Sequence, residues 1–148
     1  MRRWRGMWGQ RSMVIETDGG FWVVLGLMVL LFPLRVLAGL LLAAVIHEAG
    51  HILAVALCGG RLYRIRLHIG GAELIAAPLS PGRELLCILA GPAAGAVTVL
   101  AWRIFPELAV AGLLQTAFNL LPLPNLDGGR AVRNICCKLR RFGVQWLS

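Results

Sequence analysis

The chain has 148 residues, enough for one compact unit. Hydrophobic residues make up 58% of it and charged residues only 15%, well below the quarter typical of soluble domains, and the mean hydropathy is +0.75, so an ordinary soluble domain is excluded. The net charge of +8 gathers near the ends, in Arg2, Arg3, Arg5 and Arg11 and again in Arg130, Arg133, Lys138, Arg140 and Arg141; a nucleic-acid binder would spread such charge over a soluble face, whereas clusters flanking apolar runs read as membrane topology with no nucleic-acid partner.

Residues 1–20 form a basic, then polar, segment ending in Thr17-Asp18-Gly19-Gly20. The apolar run 21–34 is short. A basic start before an apolar run also suits a signal peptide, but no clear small-residue cleavage site follows and the next apolar run begins at once. A short, bent span closed by Pro33 fits better. Residues 36–58 are long enough to cross about 30 Å of hydrocarbon as a helix, and Gly59-Gly60 supplies the stop. Residues 61–77 change period. From Leu62 to Ile69 polar and apolar side chains mostly alternate, the pattern of a strand. Gly70-Gly71 and a second such run follow, which predicts a β-hairpin. About that turn Ile69 would face Ala72, His68 would face Glu73, and Leu67 would face Leu74.

A third span covers 84–104, entered at Pro81-Gly82. Pro106 opens a fourth helix, where its missing N–H costs nothing. That helix runs to about Leu121, and Pro122 and Pro124 break it. Residues 123–129 are then irregular backbone, which at membrane depth is tolerated only inside protein or beside a cavity. The tail, 131–148, is basic and amphipathic, with Phe142 and Trp146, and suits the interface. The expected fold is an all-α polytopic membrane protein with about four transmembrane helices and a small β-hairpin between the second and third. The basic residues of the N-terminal segment, the hairpin and the tail then fall on one side, so the positive-inside rule places both termini in the cytoplasm, with segment 1–20 cytoplasmic. Of the four cysteines, Cys58 and Cys87 lie in or beside spans and suit small core positions. A disulfide between the adjacent Cys136 and Cys137 would be strained.

Within the second span stand His47, Glu48 and His51, in the pattern HExxH. On a helix, positions i and i+4 share a face, so both imidazoles reach one zinc ion while Glu48 lies beside the metal as a proton acceptor. Ionisable residues inside a membrane are costly and usually functional; the bland alternative is a polar trio packed across helices. Catalytic zinc sites usually have a third protein ligand and an open position. Glu84 and Glu107 sit at helix starts, where acids suit the dipole. Asp127 lies where the fourth helix is broken. Taken alone, Asp127-Gly128 is a common turn; beside an incomplete zinc site, Asp127 is the better third ligand.

These residues resemble the site-2 protease family of intramembrane zinc metalloproteases. The resemblance runs from His47-Glu48-Ala49-Gly50-His51 through Gly91-Pro92 to Asn125-Leu126-Asp127-Gly128 and ends at Arg130. The segment 118–130 is most similar to the bacterial sporulation branch, whose members process a membrane-associated sigma-factor precursor. The resemblance implies His47, His51 and Asp127 as ligands of Zn2+, Glu48 as catalytic acid/base, and Asn119 as a polar residue near the site. Asn119 would bond substrate backbone or the developing oxyanion, or else pack between helices. Leu126 departs from the proline of the family's common form, and Gly95 stands near where many members carry asparagine. No PDZ or CBS regulatory domain is recognisable in the sequence.

Residues 21–130 are therefore the expected intramembrane metalloprotease core, and the expected activity is zinc-dependent hydrolysis of peptide bonds of membrane-embedded or membrane-tethered proteins in the bacterial cytoplasmic membrane, activating a transcription-factor precursor. A helix shields its peptide bonds, so substrate must be presented extended, and an exposed strand edge does this by main-chain bonding. Ile65, Leu67, Ile69 and Leu74 are the candidate strand residues, and the family is thought to use a membrane-dipping strand here. A loop whose arginines touch lipid phosphates is the simpler alternative. The lipid bilayer is one partner; a regulatory membrane protein or a second copy is compatible with the sequence. The rival class is a non-proteolytic zinc-binding membrane protein, either a transporter or an inactive adaptor. Glu48 separates the two, because transport has no need of an acid between two ligand histidines.

Overall fold

The computed structural model describes residues 14–69 and 71–145, with side chains as far as Leu139. Arg2, Arg3, Arg5, Arg11, Gly70 and Trp146, and the side chains of Arg140, Arg141 and Phe142, lie outside the described residues. The order is β1 (Val14–Thr17), α1 (Gly19–Leu31), α2 (Leu34–Leu57), β2 (Leu62–His68), β3 (Gly71–Ala76), α3 (Pro81–Val97), a 3₁₀ turn (Thr98–Ala101), α4 (Pro106–Asn119) and α5 (Asp127–Gln145).

Local chemistry sets most of these boundaries. Asp18 caps α1, its Oδ1 accepting from Phe21 N at 2.8 Å. Pro33 separates α1 from α2. α2 ends in a Schellman motif: Gly59 takes φ +73°, and Gly59 N and Gly60 N donate to the carbonyls of Ala56 and Val55 at 3.0 and 2.8 Å. α4 starts on Pro106, and its Glu107 pairs with Arg35 of α2 at 3.3 Å.

Two helical segments are long and apolar enough to cross a bilayer, Leu34–Leu57 and Pro81–Ala101, with 24 and 21 residues. α1 and α4 are shorter, at 13 and 14 residues. The outer surfaces are apolar. Leu30, Leu57, Leu100 and Ile104 are each about four-fifths exposed, while His47, His51, Thr98 and Asp127 are buried. Polar inside and apolar outside is the arrangement hydrocarbon demands. The helices meet on small residues, as membrane helices do. A Cβ on Gly39 would come within 2.8 Å of Glu107 backbone, and one on Gly50 within 2.5 Å of the Ala90 carbonyl oxygen. Ala43, Leu108 and Ala111 form the buried apolar cluster between α2 and α4.

Four expectations need correction. There are five α-helices among the described residues, because the tail helix begins at Asp127 rather than after an irregular 123–129. Gly128 and Gly129 are helical, and the chain at Leu120, Leu121 and Leu123 lies so close that a Cβ on either glycine would meet its carbonyls. The sheet has three strands, β1-β2-β3, because Val14–Thr17 pairs parallel with β2. Glu16 secures that pairing through Arg64 at 3.0 Å and Arg66 at 3.7 Å. The hairpin register differs by two residues: His68 faces Gly71, Leu67 faces Ala72, Arg66 faces Glu73 and Ile65 faces Leu74. This shift sets opposite charges across the strands at Arg66 and Glu73. Ile69 therefore lies in the turn, 69% exposed, and not in a strand.

Candidate metal centre

α2 carries the two histidines. They lie ten and six residues before its end at Leu57, about 15 and 9 Å along the axis at 1.5 Å per residue. Both are buried. The third acid comes from a broken helix. α3 runs against both α4 and α5. Thr116 of α4 donates to the Pro92 carbonyl of α3 at 3.2 Å, and Asn134 of α5 donates to Glu84 of α3 at 2.9 Å. α4 and α5 thus proceed in one direction along α3, interrupted at residues 120–126. Asp127 opens the second piece at the depth of the histidines.

The donor atoms converge. His47 Nε2 lies 3.1 Å from Asp127 Oδ2, His51 Nε2 lies 3.2 Å from the same oxygen, and the two Nε2 atoms are 3.2 Å apart. Nitrogen and oxygen donors at 2.0–2.1 Å around one tetrahedral metal stand about 3.3 Å apart, so this buried group fits a single ion. Ring orientation supports the same assignment. His51 Nδ1 donates to the Cys87 carbonyl oxygen at 2.7 Å, which leaves Nε2 as the lone-pair atom of the neutral ring. Gly91 lies against that ring, and a Cβ there would collide with it. His47 Nδ1 is buried with no protein partner. Asp127 Oδ1 turns away toward Arg130 Nη1, 3.8 Å off.

Glu48 follows His47 on α2 and is half-buried. Its carboxyl group lies within electrostatic reach of His51, His47, Asp127 and Arg130. Asn119, the last residue of α4, places Nδ2 3.4 Å from His47 Nε2. The structure thus brings His47, His51, Asp127, Glu48 and Asn119 together. Ile65, Leu67 and Leu74 are half-buried in the sheet that follows α2. The sequence reading did not single out Arg130 as a neighbour of the site; its i+3 position after Asp127 was the available signal once both lie on one helix.

No protein-family model matches the chain, and no curated protein does. Comparison with solved structures does find a relative. The chain is similar to the site-2 protease from Methanocaldococcus jannaschii, at 25% identity, over 89% of this chain and 71% of that one, with a TM-score of 0.69. The HExxH helix and the aspartate at a helix break thus sit in a fold similar to that of a site-2 protease.

Proposed function

We propose that the protein is an intramembrane zinc metalloprotease that hydrolyses peptide bonds of membrane-embedded or membrane-tethered proteins. The observation that carries this is the convergence of His47, His51 and Asp127 donors at 3.1–3.2 Å, with Glu48 adjacent, inside an apolar helix bundle. His47, His51 and Asp127 would hold the ion. When bound, zinc supplies Lewis acidity to the scissile carbonyl and to the attacking water. Glu48 takes the water's proton and returns it to the leaving amine nitrogen. Asn119, close to His47, is placed to donate to substrate backbone or to the developing oxyanion.

Substrate reaches the site extended along β3, an edge strand whose outer side has no partner strand among the described residues. Ile65, Leu67 and Leu74 shape that sheet, and Ile69 supports only its turn. The chain sits in the bacterial cytoplasmic membrane with both termini cytoplasmic. The resemblance over 118–130 favours a substrate whose release activates transcription, as in sporulation. Co-expression of candidate membrane-tethered precursors with the wild type and with Glu48→Gln tests the activity. A shorter product with the wild type alone is the expected result, and its absence with every tethered precursor would overturn the protease assignment.

A further inference from the structure

We infer that Thr116 is a positioning residue for His47, holding the ring's Nδ1–H through one ordered water seated beside Gly95. The inference rests on His47, His51 and Asp127 as the ligand set. Once Nε2 of His47 faces the metal, the proton of the neutral ring stays on Nδ1. Ligand histidines almost always give this second N–H to a carboxylate, a backbone carbonyl or a water, which fixes the ring and raises its basicity. His51 gives it to the Cys87 carbonyl. His47 Nδ1 is buried and has no direct protein partner. The other side chains bonded to this ring, those of His51, Asp127 and Asn119, all meet it at Nε2.

The surroundings of Nδ1 are those of a water site. The spot where a Cβ on Gly95 would stand is 3.6 Å from His47 Nδ1, 2.5 Å from Thr116 Oγ1 and 3.5 Å from the Gly112 carbonyl oxygen. One donor from α2 and two acceptors from α4 thus surround a single place on α3 that glycine leaves without a side chain. A buried water needs two to four polar partners, and these three suffice. Bond directions agree as well. Thr116 uses its one hydroxyl proton on the Pro92 carbonyl at 3.2 Å, so its lone pairs are left to accept. The water accepts from His47 Nδ1 and donates to Thr116 Oγ1 and to the Gly112 carbonyl.

Two measurements on the full chain test this without any proteolysis: zinc affinity by chelator competition, and the imidazole N–H resonances of the zinc-loaded protein carrying isotope-labelled histidine. Thr116→Val keeps the side-chain shape and removes the acceptor. It should weaken zinc binding about tenfold. It should also shift or broaden the Nδ1–H resonance of His47 and leave that of His51, whose acceptor is the Cys87 carbonyl. Thr116→Ser should restore both readouts. Gly95→Ala, which fills the water's place and alters no group of the bridge, should repeat the loss. Thr98→Val removes a neighbouring buried hydroxyl, which donates to the Gly95 carbonyl at 2.6 Å, and should change neither readout. Wild-type affinity with both resonances unmoved in Thr116→Val or in Gly95→Ala would overturn the inference. So would both resonances moving together, or a Thr116→Ser that restores nothing, since either would make Thr116 a packing residue. A wild type that takes up no zinc would instead sink the ligand set, and this inference with it.

Discussion

His51 and Cys87 are joined through a side chain and a backbone carbonyl: His51 Nδ1 donates to the Cys87 oxygen at 2.7 Å. This bond links α2, which carries the motif, to α3, which carries none of the ligands. It also decides which nitrogen of His51 faces Asp127. A ring free to flip would present the wrong atom half the time, so the α2–α3 interface forms part of the metal site.

Gly91 tests that coupling. It lies one turn beyond Cys87 on α3, with the His51 ring directly over its Cα. Gly91→Ala should push the ring out of register with His47 and Asp127. Outer-shell changes of this kind typically weaken metal binding by about 10–100-fold. Chelator competition on the purified protein measures it, with circular dichroism to confirm that helix content is kept. Unchanged affinity would mean the ring has room that the geometry denies it.

Glu48 and Asp127 should separate chemistry from binding. Glu48→Gln removes the proton acceptor and no ligand, so cleavage should fall by about 10²–10⁴-fold while zinc content stays near wild type. Asp127→Ala removes the oxygen shared by both histidines, so zinc should be lost along with activity. Metal analysis of the two variants decides between these roles. Full zinc in Asp127→Ala would remove Asp127 from the ligand set.

The metal centre was legible in the sequence because its first half is local: His47 and His51 share a helical face by spacing alone. Asp127 was legible by elimination, yet the start of α5 was not. Asp127-Gly128-Gly129 has turn composition, and only the packing of residues 120–123 onto the glycines shows why a helix needs them there. β1 escaped for a different reason. Four residues paired in parallel with a strand some fifty positions later leave no local trace, and the stabilising contacts of Glu16 are long-range. The hairpin turn was placed on Gly70-Gly71 by composition, whereas Gly71 opens β3 at φ +115° and the turn falls one residue earlier.

Topology follows from where the helix ends lie. Arg35 and Glu107 pair at the end of the bundle opposite to Glu84 and Asn134. Arg61, Arg64, Arg66, Arg83 and the tail cluster belong to the latter end, which the positive-inside rule assigns to the cytoplasm. Reporter fusions after Ser148 and at Leu34–Arg35 should therefore report opposite sides, with the Ser148 fusion cytoplasmic. A C-terminal fusion active on the outer face would reverse the assignment.

The edge strand allows a sharper test than its sequence alone suggested. In an antiparallel pair successive N–H groups alternate between the partner strand and the open side. Of Leu74 and Ile75 in β3, one therefore bonds β2 and the other faces outward, where an extended substrate would add. Proline removes an N–H at either place but with different consequences. At the outward position the hairpin keeps its ladder, so cleavage should fall several-fold with zinc content and expression unchanged. At the inward position the hairpin itself loosens, and expression should suffer too. A proline scan of Ala72 to Ala76, scored for cleavage, metal and yield together, should thus give an alternating pattern with period two. Cleavage that is indifferent to proline at every position would exclude strand addition along β3 and return the arginines of β2 to the role of lipid contacts.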